Sequence, residues 1–242
     1  MKDSDETISI AIETSSRYGG LALGQNDSLI ATVDFDANRR QAVQLVSRLA
    51  ELLEENGLQP GDIDEVYISI GPGSFTGLRI GITVAKTLIQ AVEFIRPERK
   101  LRCVTVPSTE VVAENFSSGK LKTKYLGVVM DAGKEELYSA IYHKAASGEL
   151  IASSPARVLK EADFLIEIPR PITLSGEALA YHQKISTHDI TIAPEELWYP
   201  NARCLWKVAR RMALKGNFCQ YNMIRPIYIR KTSALFRKRL GR

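Results

Sequence analysis

The segment at residues 71–81, GPGSFTGLRIG, constrains the fold of this chain because it joins a strand pattern to a helix pattern through a glycine-rich turn. The apolar run at 66–70 predicts a buried strand, and the run at 78–95 predicts a helix. Backbone amides at such a turn often bind phosphate. Here the spacing is GxGxxxG, one residue longer than the dinucleotide fingerprint, and no lysine follows a glycine as in a P-loop. The segment therefore predicts a strand, a loop and a helix without a nucleotide signature.

The predicted helix carries a stripe of small residues. Gly77, Gly81 and Ala85 follow one another at four-residue spacing and share one helix face. A glycine in a helix interior costs about 1 kcal/mol relative to alanine, so close packing must offset the loss. That packing is either within the chain or against another subunit, and both interpretations stay open. Ser74 is expected to be the N-cap of this helix and not a nucleophile, because it does not lie in a GxSxG motif.

Three segments together resemble one protein family. They are the glycine motif, IAIETSS at residues 10–16 and DAGKEELYSAIY at residues 131–142, and PIYIRK at residues 226–231 follows in the same order. On these motifs the chain is identified as a member of the bacterial TsaB (formerly YeaZ) family. The resemblance implies a non-catalytic subunit that binds and supports TsaD in forming threonylcarbamoyladenosine next to the anticodon of transfer RNAs that read codons starting with A.

The same resemblance implies the partners and cofactors. We expect a heterodimer with TsaD, contact with TsaE, transfer RNA bound through the complex, and a homodimer when TsaD is absent. No cofactor and no metal are expected in this chain, with ATP and metal on the partner subunits. Residues 1–7 are acidic and lack the apolar run of a signal peptide, and no stretch reaches the length of a membrane span. A cytoplasmic protein without a membrane contact is therefore expected.

The apolar pattern occurs twice along the chain. The first round predicts strands at 8–12, 20–23, 28–35, 66–70 and 101–106 with helices at 42–53 and 78–95. The second predicts strands at 125–130, 137–142 and 150–159, short strands near Ile172 and Ile190, and a helix over 201–215. This plan resembles the actin, sugar-kinase and heat-shock-chaperone (ASKHA) superfamily. It predicts an α/β fold of two ribonuclease-H-like lobes, with mixed sheets flanked by helices. Residues 1–107 are assigned to the first lobe and 108–242 to the second, which ends in a basic C-terminal segment.

Two acids end the equivalent first strands of the two predicted lobes, Glu13 and Asp131. In the ASKHA superfamily the turns that follow these strands hold phosphates and a metal-bound water, whereas here both turns are poor in glycine. We therefore expect a degenerate nucleotide cleft at Glu13, Thr14 and Asp131, in which the two acids cap their turns. The alternative is an active ATP-dependent kinase-like or carbamoyl-transfer enzyme of the same fold that uses Glu13 and Asp131. A metallopeptidase is a third reading.

The histidines do not form a metal motif. His143, His182 and His188 show neither HxxxH nor HExxH spacing. In TsaD two metal-binding histidines follow the last strand of the first lobe, and the corresponding positions here are Ser108 and Val112. The cysteines are three in number, widely spaced and without a CxxC pair, so reduced structural thiols are expected. No catalytic residue is assigned.

The resemblance also implies a partner interface on the helices of the first lobe. The residues expected there are Gly77, Leu78, Gly81, Ile82 and Ala85 on one helix and Ala42, Leu45, Val46 and Leu49 on the other.

Charge is distributed unevenly along the chain. Of the 32 lysines and arginines, 12 lie in residues 197–242, which hold none of the 28 acids. Such a basic end predicts contact with phosphates, and a solvated helix and tail is the ordinary alternative. The residues expected to contact transfer RNA are Arg225, Arg230, Lys231, Arg237, Lys238 and Arg239. A footprint on the preceding helix would instead use Arg203, Lys207, Arg210 and Arg211.

Overall fold

Two mixed β-sheets flanked by helices form the protein. The computed structural model describes residues 6–36, 41–117, 119–133, 135–146, 148–154, 156–181, 185 and 189–228. The helices are α1 (Gln41–Glu55), α2 (Phe75–Ile95), α3 (Ser108–Glu114), α4 (Glu161–Glu167) and α5 (Ala202–Leu214). This arrangement confirms the predicted two-lobe α/β fold.

The first sheet has five strands. They are β1 (Ile8–Glu13), β2 (Tyr18–Gln25), β3 (Ser28–Asp36), β4 (Glu65–Ser69) and β5 (Arg102–Val106), in the spatial order β3-β2-β1-β4-β5. The first three strands form an antiparallel meander, while β4 and β5 run parallel to β1. Every residue of β1 and β4 is buried, as expected for central strands covered on both faces. Their apolar, β-branched sequences are the reason the sequence predicts them well.

The second sheet repeats this plan. Its strands are β6 (Tyr125–Gly133), β7 (Glu136–Lys144), β8 (Leu150–Ala152), β9 (Arg157–Lys160), β10 (Ile172–Ser175) and β11 (Ile190–Ile192). The order is β11-β10-β6-β7-β8, with β9 also paired to β7. As in the first sheet, the opening strands are antiparallel and the last two run parallel to the first. The single strand predicted at 150–159 is two short strands, and the helices α3 and α4 were not predicted.

The last helix returns to the first lobe. On α5, Leu205 and Ala209 pack in one buried cluster with Ala11 and Tyr67 of the first sheet. The indole of Trp206 donates a 2.8 Å hydrogen bond to Ser9 Oγ on β1. The assignment of residues 108–242 to the second lobe is therefore wrong for α5, because its apolar face covers the first sheet opposite α1 and α2.

Candidate functional site

Glu13 ends β1 between the two lobes and is fully buried. Its Oε1 accepts hydrogen bonds from Ser15 N at 2.7 Å and from Ser69 Oγ at 2.9 Å, while Oε2 has no hydrogen-bond partner among the described residues. Burial raises the pKa of Glu13, and the hydrogen bonds from Ser15 and Ser69 oppose this. The carboxyl group thus caps the turn that follows β1, hereafter the first turn.

Asp131 has the equivalent position in β6 but is exposed. Its Oδ1 accepts a 2.8 Å hydrogen bond from Gly133 N, across the turn into β7. The prediction that both acids cap their turns is therefore confirmed. Thr14, the third predicted cleft residue, is buried beside α2, and its hydroxyl has no partner in the part of the chain that the structure describes.

A third carboxyl group, Glu177, was not predicted. It follows β10 at the start of a short 3₁₀ helix, and burial raises its pKa to about 7. The charges of Asp131 and Glu13 act in the same direction, and that of Arg17 opposes them. The preceding residue gives the sequence signal that could have found this site. Gly176 has a φ of 121°, and a Cβ there would overlap the carbonyl oxygen of Val129, so only glycine fits this position. The signal in the sequence is a strand, β10, that is followed by a glycine and then by an acid, Glu177.

The glycine-rich loop packs directly on the first turn. Ser74 N donates to Ser15 O at 2.7 Å, and Ser108 N donates to Gly71 O at 2.9 Å. Gly73 has a φ of 151°, and a Cβ at this position would overlap Ser15 O. Close approach between two backbone segments therefore accounts for this glycine. Ser74 Oγ accepts from Gly77 N at 3.2 Å, which confirms the predicted N-cap of α2.

Arg17 connects the first turn to the second lobe. Its guanidinium carbon lies 4.8 Å from the ring centroid of Tyr18 and 4.7 Å from that of Tyr199. Arg17 Nη2 also pairs with Glu195 Oε1 at 3.1 Å. The two rings meet edge to face with centroids 5.0 Å apart. Because Tyr199 and Glu195 follow β11, this group of four residues, the Arg17 bridge, spans the two lobes.

These groups do not fit a bound nucleotide and its metal. The amide of Ser15 donates to Glu13 and its carbonyl accepts from Ser74, so both backbone groups are satisfied within the chain. Around Glu177 the carboxyl groups of Glu13 and Asp131 would repel a phosphate. Within the described ranges, no three His, Cys, Asp or Glu side chains form a group that could hold a metal ion.

Among the described residues, the remaining candidate metal positions do not form a group that could hold a metal ion. Ser108 and Val112 lie one turn apart on α3, and both are buried. His143 Nδ1 lies 3.1 Å from Ser153 Oγ at the surface. His182 and His188 lie outside the described residues.

The predicted partner interface is mostly internal. The small-residue stripe of α2 is buried, together with Leu78 and Ile82. A Cβ at Gly81 would overlap Thr14 Oγ1 and would lie 3.3 Å from Ile68 Cδ1, so this face packs on the central strands of the first sheet. On α1 the predicted contact residues Leu45 and Leu49 are buried in the same lobe, and the side chain of Ala42 lies outside the described part. The prediction is therefore wrong for these buried residues, while Val46 is 54% exposed.

The solvent side of α2 has a different character. A groove of about 330 Å³ is lined by Phe75, Thr76, Arg79, Ile80, Thr83 and Val84. The Arg79 guanidinium carbon lies 5.2 Å from the Phe75 ring centroid, and that ring lies 5.5 Å from the ring of Tyr228. Phe75 is 45% exposed and Tyr228 48%. We call the six residues that line the groove, together with Tyr228, the α2 outer face.

Part of the basic C-terminal charge is used inside the protein. Arg210 pairs with buried Glu65 at 3.2 Å, and Arg211 forms two hydrogen bonds to Glu114 at 3.2 and 2.5 Å. Arg225 is exposed and donates through Nη1 to two backbone carbonyls at 2.8 Å. The other residues predicted to contact transfer RNA, Arg230, Lys231, Arg237, Lys238 and Arg239, lie outside the described residues. That contact stays a prediction.

Comparison with known proteins places the fold and the motifs in one family. The family model described as "TsaD: tRNA N6-adenosine threonylcarbamoyltransferase" matches residues 35–236. The "tRNA threonylcarbamoyladenosine biosynthesis protein TsaB" of Bacillus subtilis is 28% identical over 179 residues, which are 73% of each chain. The protein of the same name from Escherichia coli is 25% identical over 232 residues, 93% of this chain and 95% of that one. "YeaZ from Pseudomonas aeruginosa" superposes with a TM-score of 0.76 at 20% identity, over 92% of this chain and 99% of that one.

The two-lobe fold and the matched region show that the chain belongs to the tRNA N6-adenosine threonylcarbamoyltransferase family. Its relatives place it in the TsaB (YeaZ) branch of that family, which confirms the resemblance seen in the sequence. Among the described helices, none has the length and apolar character needed to cross a membrane.

Proposed function

We propose that this chain is a non-catalytic cytoplasmic subunit that binds and supports a TsaD-type protein in forming threonylcarbamoyladenosine on transfer RNA. The names of its relatives supply the pathway. One observation carries the non-catalytic assignment. The first turn, where a phosphate would bind in an ASKHA enzyme, is held by the glycine-rich loop through Ser15 and is joined to the second lobe by Arg17.

ATP and metal then bind to the partner subunits. This chain supplies a binding surface and no catalytic group. TsaE and transfer RNA meet it in the assembled complex, and two copies of the chain pair when the TsaD-type protein is absent. The filled first turn and the environment of Glu13 support this division of roles, because Ser15 and Ser69 already bond one oxygen of this buried carboxyl group within the chain.

The α2 outer face is the surface we propose for the TsaD-type partner. It exposes two aromatic rings and a stacked arginine, the residue types that dominate the binding energy of protein interfaces. Among the described side chains predicted for this role, Val46 on α1 is exposed. Interfaces of this kind fill shallow grooves with apolar side chains from the partner, and the groove between Phe75 and Val84 fits such an insertion.

Reconstituted modification of transfer RNA tests the proposal. The purified chain, its TsaD-type and TsaE-type partners and transfer RNA are combined, and threonylcarbamoyladenosine is measured by mass spectrometry of the released nucleosides. Phe75→Ala and Arg79→Glu are each expected to raise the dissociation constant of the partner complex about tenfold or more. Central aromatic and arginine residues typically contribute over about 1 kcal/mol to the binding free energy of an interface. Gln90→Ala, exposed on the same helix, is the matched control.

The enzymatic alternative gives the opposite pattern. If Glu13 or Asp131 carried chemistry, the isolated chain would bind ATP with Mg²⁺ and turn it over, and Glu13→Gln or Asp131→Asn would abolish this. On our proposal the isolated chain shows no turnover, and Asp131→Asn supports transfer-RNA modification as well as the unmodified sequence does. Turnover by the isolated chain that depends on these acids would overturn the non-catalytic assignment.

A further inference from the structure

Two cysteines far apart in sequence face each other at the edge of the first sheet. Cys103 lies in β5, the edge strand, and Cys219 lies five residues beyond the end of α5. They are opposite one another in an antiparallel bridge, in which Cys219 N donates to Cys103 O at 2.8 Å. The C-terminal segment thus continues the first sheet for one residue, at a cysteine pair.

The bridge geometry is compatible with a disulfide. Directly opposite residues of an antiparallel pair have Cα atoms about 4.5 to 5.5 Å apart. A disulfide needs a Cα separation of about 4.4 to 6.8 Å. The two thiols also lie close enough for each to change the pKa of the other. Both cysteines are free in this structure.

We propose that Cys103 and Cys219 form a redox modification site, at which a peroxide converts the two thiols into one intramolecular disulfide. The inference rests on the opposed positions of the two residues, and it is independent of the proposed role in transfer-RNA modification.

The environments of the two sulfurs assign their roles. Cys219 is half-buried, and hydrogen bonds from Cys103 and Thr105 lower its pKa, so its sulfur is the accessible nucleophile. Cys103 is buried, and hydrogen bonding to Cys219 together with burial raises its pKa. The Cys219 thiolate attacks one oxygen of hydrogen peroxide, breaks the O–O bond and becomes a sulfenic acid, while the leaving hydroxide takes a proton to form water. The Cys103 sulfur then attacks Cys219 Sγ and expels a second water. The two thiols thereby lose two electrons and two protons, and one peroxide is reduced to two waters.

The disulfide would fix a segment that already crosses the first lobe. Beyond Cys219, Ile224 packs in the core beneath α2, and Ile227 N donates to Ile70 O at 2.7 Å. Tyr228 then reaches the ring of Phe75. A covalent link at residue 219 would therefore anchor the start of this segment to β5.

The third cysteine provides an internal control. Cys204 is buried on α5, where its thiol donates to Asn115 Oδ1 at 3.2 Å and burial raises its pKa to about 11. It belongs to the buried cluster on the opposite face of the first sheet from Ile224. Cys204 is thus expected to stay reduced while the Cys103 and Cys219 thiols are consumed.

The test titrates the full chain with hydrogen peroxide and counts thiols after denaturation. We expect the count to fall from three to one, with a mass loss of two hydrogens, and dithiothreitol to restore all three. Peptide mapping without reductant should find Cys103 joined to Cys219. The disulfide should also slow chymotryptic cleavage after Tyr221 at least about tenfold, because cleavage follows local opening of the segment.

Single variants complete the test. Cys204→Ser should form the disulfide as the unmodified sequence does, whereas Cys219→Ser should not. Disulfides that include Cys204, disulfides between chains alone, or conversion of Cys219 to a sulfinic acid without a bond to Cys103 would each overturn the proposal. Mapping of the unsubstituted chain decides between these outcomes even if a variant fails to fold.

Discussion

Gly81 of α2 lies so close to Thr14 of the first turn that a Cβ atom at Gly81 would overlap Thr14 Oγ1. This contact explains why α2 keeps a glycine in its interior, where alanine would favour the helix by about 1 kcal/mol. Ile68 Cδ1 is 3.3 Å from the same position, so the glycine also sets the distance between α2 and β4. The stripe is thus part of the packing that holds the candidate cleft together.

Replacing Gly81 by leucine is therefore expected to destabilise the fold. Overpacking a tight core site typically costs about 1 to 3 kcal/mol, and here the space is bounded by buried Thr14 on a central strand end. Urea unfolding measures the change. Thr83→Leu, exposed two residues further along α2, is the control and should shift stability by less than about 0.5 kcal/mol. If Gly81→Leu left stability unchanged and weakened partner binding, the small-residue stripe of α2 would be part of the partner interface.

Most of the fold could be predicted from the sequence because the central strands are continuously apolar. Residues 8–12, 66–70 and 125–130 were predicted as strands and lie within two residues of β1, β4 and the start of β6. The internal repeat followed from the same pattern, and it is confirmed by the matching order of the two sheets. Helices below two turns were missed since α3 and α4, at seven residues each, are too short to show a clear period.

The site could be predicted only in part because its geometry depends on contacts distant in sequence. The capping roles of Glu13 and Asp131 are local, and the strand ends indicated them. The Arg17 bridge joins Arg17 to Glu195, and no local pattern predicts such a pair. Periodicity likewise indicates that Gly81 packs closely, without indicating what it packs against.

Glu177 is expected to make stability depend on pH. Burial raises its pKa from an ordinary 4.5 to about 7, so the folded chain binds this proton more tightly than the unfolded chain. Stabilisation from this group is therefore complete below about pH 4.5 and is lost as the pH rises to about 7. Glu177→Gln removes that contribution. Between pH 4.5 and 7 the urea midpoint of the unmodified chain should fall relative to that of the variant.

A second substitution separates this effect from general loss of packing. The charge of Asp131 is one cause of the raised pKa of Glu177, so Asp131→Asn should move the pH-dependent window to lower pH. Glu13 is present in all three proteins, so the differences between their pH curves come from Glu177 and from its interactions with Asp131 and Glu13. If the urea midpoints of the unmodified chain and of Glu177→Gln changed with pH in the same way, the assignment of this proton to Glu177 would be contradicted.

Arg210 is expected to stabilise the fold more than it contributes to any nucleic-acid contact. Glu65 is buried and is held by Arg102 at 2.7 Å, by Arg210 at 3.2 Å and by the Tyr67 hydroxyl. Removing one partner of a buried ion pair typically costs about 3 kcal/mol when the other charge is left unpaired. Arg210→Ala should lower the unfolding free energy by about 1.5 to 3 kcal/mol, the range for a hydrogen bond to a charged group, because Arg102 and Tyr67 still hold Glu65.

Arg203, exposed on the same helix, is the control for Arg210, and Arg203→Ala should change the unfolding free energy by less than about 0.5 kcal/mol. The double variant Glu65→Gln with Arg210→Ala should lose less stability than the two single changes together, because the pair interacts directly. If Arg210→Ala left stability unchanged but weakened transfer-RNA binding by the complex, Arg210 would instead be one of the α5 residues that contact transfer RNA.

The basic tail is expected to hold transfer RNA through phosphates. Each lost phosphate contact reduces the slope of log affinity against log salt by about 0.7 to 0.9, without changing sequence preference. The measurement compares the assembled complex containing the full chain with one whose chain ends after Arg230, which removes Lys231, Arg237, Lys238, Arg239 and Arg242. A full-length chain with these five residues changed to glutamine keeps the tail length and should behave as the truncated chain does. Unchanged affinity and slope in both variants would contradict a role for the tail. A change that appears instead with Arg203→Gln and Lys207→Gln would place the contact on α5, where Arg210 and Arg211 are already paired with Glu65 and Glu114.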